Sequence, residues 1–180
     1  MIATLRHLKR NRFFSGKLLT AEDLALEQEY FREKLKRHNR YLHGFGVVFG
    51  LEVSKRGLDV VISAGLAIDC QGNEIVVPEL LELALPGSDS GSTLFLSISY
   101  IERETDPVPN PVSDCSEMEN SRTEESAVAV FEKGNANQGH RHLRGRWRAC
   151  GESHELTIAR LKFSSGQWRI DRRYHAPLIK

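Results

Sequence analysis

The residues best able to do chemistry crowd into the stretch "HRHLRGRWRACGESH". It places His140, His142, Cys150 and His154 close together, with Cys115 available from an earlier acidic segment. Imidazole and thiolate are the donors that tetrahedral zinc prefers, and a loop with few apolar residues gains most order from a metal clip. A structural zinc site joining His140, His142, Cys150, His154 and Cys115 is therefore one expectation. A catalytic zinc would need an open coordination position and a nearby base, for which Glu152 and Glu155 are the close candidates. The same stretch carries Arg141, Arg144, Arg146 and Arg148 around Trp147, which could hold a phosphate backbone and stack a base. With 25 basic against 24 acidic residues, a nucleic-acid partner is not expected. A simpler role for these arginines is to meet the acidic segment of the same or a neighbouring chain.

A second group lies in "RHNRYLHGFGVVFGLEV". His38 and His43 could act as general bases with Glu27, Glu33 or Asp69 as partners. The blander reading is preferred: His38 faces a helix stripe and His43 tucks under the turn as a hydrogen-bonded core histidine. "GFGVVFG" is glycine-rich, but it follows a helix and opens a strand, the reverse of an anion site at a helix N-terminus. No nucleophile elbow, phosphate loop, dinucleotide fingerprint or HExxH helix is present, so no enzyme activity is expected.

These residues need elements to hold them. From Thr20, "TAEDLALEQEYFREKLKRHNRYLHG" reads as one long helix over about residues 21–43. Thr20 and Asp23 have the spacing of a capping box, with acid early and base late. Leu24, Phe31, Leu35, His38 and Leu42 recur at helical spacing, which predicts an apolar stripe laid across a sheet. Gly44 supplies the stop, and Gly44 or Gly46 is expected at positive φ. Beyond it the period falls to two: "GVVFGLEVS", "LDVVIS", "GLAIDC", "NEIVVP", "TLFLSISYIE", "SAVAVFE", "ELTIARLKF" and "QWRIDRRYH" read as strands. The fold class is mainly β, an antiparallel sandwich or barrel-like sheet, with one long N-terminal α-helix.

The organisation expected is a single domain, 1–180. It comprises an arm and helix (10–45), a first β-block (46–101), an acidic proline-rich loop (102–126) and a second β-block (127–180) with the His/Cys loop at 134–154. Charge is unevenly placed: residues 1–43 and 133–180 are basic, while Glu102 to Glu132 is acidic. That favours complementary contacts within the chain or between copies. No stretch approaches the roughly 18 apolar residues of a membrane span, so a cytoplasmic protein without direct membrane insertion is expected. Three widely spaced cysteines make a disulfide framework an unneeded assumption.

The run "FFSGKLLTAEDLALEQEYFREKLKRHNRYLHGFGVVFGLEV", followed by "GLAIDCQGNEIVVP", resembles a family encoded with phage-tail-like contractile injection systems. Its members show an aromatic-x-GK-L-T-x-x-D-F start, a Y-x-x-x-K helix, then HNR-x-LHG-x-GVV-x-GL. Phe14, Gly16, Lys17, Leu18, Thr20 and Asp23 match the start, and Tyr30 and Lys34 match the helix. His38, Asn39, Arg40, Leu42, His43, Gly44, Gly46, Val47, Val48, Gly50 and Leu51 match the junction. Leu24 departs from the expected Phe. The match is specific over residues 10 to 80, and looser through "DPVP", Ser121, Arg122 and "LTIARL". The layout is also similar to the shell domain of a type VI secretion baseplate subunit and to the shoulder of siphophage receptor-binding proteins, β-sandwich adaptors that are usually trimeric. The resemblance implies a structural adaptor, a baseplate or tail-fibre-type component. It further implies a homo-oligomer, with a trimer the first expectation, whose partners are other baseplate or tail components. His38, Asn39, Arg40, His43, Gly44 and Gly46 would then form a structural hinge, or present it to a neighbouring subunit.

Overall fold

A computed structural model describes residues 7–87, 92–111, 117–133 and 155–179, and the statements below concern these residues. Helix α1 runs Ala21–His38 and widens into one π-helical turn, Asn39–His43, so the helical segment ends where the sequence predicts. The capping box is made: the Thr20 hydroxyl accepts from the Asp23 N–H, and the Asp23 carboxylate accepts from the Thr20 N–H.

Ten strands follow among the described residues: β1 (Gly46–Gly50), β2 (Val53–Arg56), β3 (Asp59–Ile62), β4 (Gly65–Ile68), β5 (Glu74–Val77), β6 (Leu81–Ala84), β7 (Thr93–Pro109), β8 (Met118–Lys133), β9 (Leu156–Ser164) and β10 (Gln167–Ile170). They form three antiparallel sheets in the orders β1-β4-β5, β2-β3-β6 and β10-β9-β7-β8. One apolar cluster joins all three. Val47, Val60, Ile62, Ala67, Ile75 and Val77 come from the two small sheets, and Leu94, Leu96, Ile98, Leu156 and Leu161 from the large one. On β5 the alternation is clean, with Ile75 and Val77 inward and Glu74 and Val76 outward. Trp168 closes one end, edge-on to Phe163 and donating its indole N–H to the Pro86 carbonyl at 2.8 Å. The fold class expected from the sequence is the one found.

Two expectations fail. The first is the acidic loop at 102–126. Instead β7 and β8 continue outward as a two-stranded ribbon, paired from Glu102↔Glu125 to Pro109↔Met118. Prolines and like charges exclude a segment from a central strand, but both strands of an isolated ribbon are edges, and their side chains face water. Arg122 binds Asp106 at 3.0 Å and the Ser121 hydroxyl donates to the Asp106 carbonyl, holding the ribbon where Asp106 takes a positive φ of 56°.

The second is the packing of α1. No residue of the helix is buried, and its stripe faces away from the sheets: Leu24 is 57% exposed, Phe31 60%, Leu35 50% and Leu42 63%. The half-buried side is the polar one, with Asp23, Glu27, Tyr30, Glu33, Lys36 and Arg37. Hydrogen bonds explain the inversion. The Asn11 side chain donates to the Asp23 carbonyl and its backbone N–H to Glu27 at 3.3 Å, while Lys17 bridges Asn11 and Asp23 at 3.2 and 2.9 Å. Arg32 reaches Glu102 on the ribbon at 3.4 Å. The helix is held by its polar side and presents its apolar side to the surroundings.

Candidate functional site

Asn39 is the centre of the junction. Its side chain is buried, and its amide N–H₂ donates to the Gly72 carbonyl at 3.0 Å and reaches a Glu74 carboxylate oxygen at 3.5 Å. A buried amide this well placed stabilises only while its partners stay put. Gly72 lies in the turn between β4 and β5, and Asp69 fixes that turn. One Asp69 carboxylate oxygen accepts from the Gln71 and Asn73 N–H groups at 2.8 and 2.9 Å, and the other accepts from the Asn73 side chain at 2.8 Å. Gly72 itself has φ +89°, and a Cβ there would overlap the Lys36 carbonyl oxygen at the end of α1. The turn is thus pressed against helix backbone, an approach only glycine allows.

The other wall is made by the chain's last described residues. Val47 donates to the Pro177 carbonyl at 2.8 Å, and Ile179 donates back to Val47 at 2.9 Å, a short parallel bridge beside β1. Gly46, at φ +139°, permits it, because a Cβ there would sit 2.7 Å from the Pro177 oxygen. Gly44 also has positive φ, 88°, and its N–H returns to the Asn39 carbonyl at 2.9 Å, closing the π-helical turn. Both glycines expected at positive φ have it.

His38 and His43 meet at the outer side of the turn, Nε2 to Nε2 at 3.2 Å, both exposed, so His43 is not the core histidine expected: the π-helical turn carries its ring outward. One ring must donate and the other accept. Of the carboxylates that could serve them, Asp69 is engaged in its turn, and one Glu27 oxygen accepts from the Asn11 N–H. Arg40 lies half-buried beside Tyr41, its guanidinium carbon 5.8 Å from the ring centre, and its Nε is buried without a hydrogen-bond partner. The six junction residues are therefore brought together, with Asn39 and the glycines facing inward and the two histidines outward. Asp69 and Gly72 complete the junction from the other side, a pairing with Asn39 that the sequence pattern does not show. The run "DCQGN" was legible as a turn, but nothing local ties it to a helix more than thirty residues earlier.

His140, His142, Cys150, His154 and Cys115 lie outside the described residues. Among the described residues no group of three or more His, Cys, Asp or Glu is placed to hold a metal, and no helix is long and apolar enough to cross a membrane. Glu132, near the end of β8, and Glu155, just before β9, flank residues 134–154. Burial, and then the neighbouring Glu132 carboxyl, raise the Glu155 carboxyl above its ordinary range.

No known family profile matches the chain, and no curated protein matches it. Solved structures do. A chain of "The baseplate complex from the type VI secretion system" aligns with TM-score 0.56 and 12% identity over 96% of this chain and 60% of that one. "Crystal structure of TssK" aligns with TM-score 0.52 and 12% identity, over 96% of this chain and 42% of that one. A chain of the "TssK-TssF-TssG baseplate subcomplex" aligns with TM-score 0.50 and 15% identity, over 96% and 63%. The chain spans between about two fifths and two thirds of the length of these structures, and at such identities the likeness is one of fold.

Proposed function

We propose that this chain is a structural component of the baseplate of a contractile injection particle, an adaptor that attaches peripheral parts through oligomeric protein contacts. The observation that carries this is the fold: nearly the whole chain, 96%, superposes on type VI secretion baseplate structures. The exposed stripe of α1 supports it, because an apolar face of that size serves contact with another protein. The junction acts as a rigid mount rather than a catalytic site, since Asn39 and Gly72 tie the helix end to the β4–β5 turn. A homo-oligomer, with a trimer the first expectation, suits an adaptor on a symmetric baseplate, where repeated weak contacts add avidity. The protein works in the cytoplasm and within the assembled particle.

The test is reconstitution. Co-expressed with the baseplate subunits of its own system, the chain should co-elute with at least one of them at fixed stoichiometry in size-exclusion chromatography. Separate elution from every baseplate subunit would refute the proposal. Zinc at His140, His142, Cys150 and His154, with Cys115, remains a proposal on donor chemistry alone. Stoichiometric zinc in the purified protein, lost in Cys150→Ser, would support it, and metal-free native protein would remove it.

A further inference from the structure

Within α1 six of the outward residues follow a stricter rule than amphipathic spacing. Ala21, Leu24, Gln28, Phe31, Leu35 and His38 are separated by three, four, three, four and three residues, and all six are exposed. Alternating steps of three and four are the heptad pattern of a coiled-coil seam, with Ala21, Gln28 and Leu35 at one core position and Leu24, Phe31 and His38 at the other. The helix is already folded and fixed at both ends, by Lys17 and Asn11 near its start and by Asn39 at its end. A partner on the seam therefore need not supply the ordering that an isolated helix of about 27 Å would require.

We propose that the seam is filled by α1 of further copies of this chain, parallel and in register. This deepens the homo-oligomer proposed above and rests on it. Two observations select this occupant. In parallel register Gln28 meets Gln28 of its neighbour, amide on amide, so neither is buried against apolar groups. Glu27 also lies beside the neighbour's Arg32, the flanking pair five residues on, with opposite charges. Arg32 has donors to spare, since its contacts to Glu29 and Glu102 are long, at 3.6 and 3.4 Å. Turned antiparallel at full overlap, the seam pairs Ala21 with His38, Leu24 with Leu35 and Gln28 with Phe31, which buries the Gln28 amide against a ring without a partner.

Light scattering and sedimentation on the full chain test this. The native protein should be a multiple of 20.4 kDa. Phe31→Asp and Leu35→Asp should each weaken association by about a hundredfold or more. Because both side chains are at least half exposed in one copy, the monomers should keep the native circular dichroism and melting temperature. Gln28→Cys should form an intermolecular disulfide between the two introduced thiols on mild oxidation, identified by peptide mapping, and Glu29→Cys, off the seam, should not. A native monomer overturns the proposal. So does an oligomer that survives Leu35→Asp, which would place the interface elsewhere. Dissociation by Leu35→Asp, with no cross-link formed by the Gln28→Cys variant, overturns the parallel register. A native monomer whose Leu35→Asp variant loses a baseplate subunit assigns the seam to that subunit instead. A self-associating chain that ignores all baseplate subunits refutes the proposed function and leaves the seam standing.

Discussion

Replacing Gly72 by alanine should release the end of α1 from the sheet while leaving the apolar core intact. Two penalties act at this position. Alanine at φ +89° costs about 1–2 kcal/mol in a left-handed backbone. Its methyl group would also overlap the Lys36 carbonyl oxygen and lie 2.9 Å from Lys36 C and Cα, all backbone atoms that cannot rotate away. The turn must retreat by about 1 Å to regain van der Waals separation. That retreat stretches the 3.0 Å bond from Asn39 to the Gly72 carbonyl and leaves two buried groups unsatisfied, at about 1–3 kcal/mol. Together these reach about 2–5 kcal/mol. Since α1 buries no side chain, undocking is the cheaper response, and the global loss is capped at the docking energy. Amide hydrogen exchange read by mass spectrometry should show residues 36–46 and 69–74 exchanging at least about thirtyfold faster, with β7 and β9 unchanged. Gly57→Ala is the control: it has φ +63° and nothing within 4 Å, so it carries backbone strain without the clash. Equal, small effects of the two substitutions would refute the close approach of turn and helix.

Three further outcomes are expected. Ser97 and Thr157 are buried hydroxyls 3.0 Å apart where the β7–β9 register slips; Ser97→Ala alone should cost about 1–3 kcal/mol in urea unfolding, and adding Thr157→Val should recover part of it. Asp171 is held at about 2 by Lys162, the Arg173 N–H and Arg160; a depressed carboxylate stabilises fully above its unfolded value of about 3.9 and loses that contribution as pH falls toward 2, so the native advantage over Asp171→Asn in melting temperature should vanish across that window. Glu155 is shifted the opposite way, so the native fold loses stability as pH rises through its raised value, and Glu155→Gln should melt higher than the native protein at pH 7, where no gain would count against the Glu132 contact.

The helix and strands were legible because their signals are local: Thr20 with Asp23 for the start of α1, Gly44 for its end, and the short β-branched run Ile75–Val77 for β5. Where the sequence misled, the missing information was not local. The recurrence of Leu24, Phe31 and Leu35 says that this face repels water, but not whether its own sheet or another molecule covers it. Pro107, Pro109 and their acidic neighbours correctly exclude a central strand, yet a ribbon made only of edges accepts them. The Asn39–Gly72 contact joins positions far apart in the chain, so each half reads alone as an ordinary cap and an ordinary turn.

Whether this chain is a baseplate component is tested most directly by removing it from the producing cell and imaging the particles by electron microscopy. Particles purified from native cells should contain the chain at a fixed ratio to the sheath and baseplate proteins. Cells lacking it should make no complete baseplates, with assembly restored by the native gene and not by Leu35→Asp. Complete particles of otherwise normal composition in the absence of the chain would contradict the assignment.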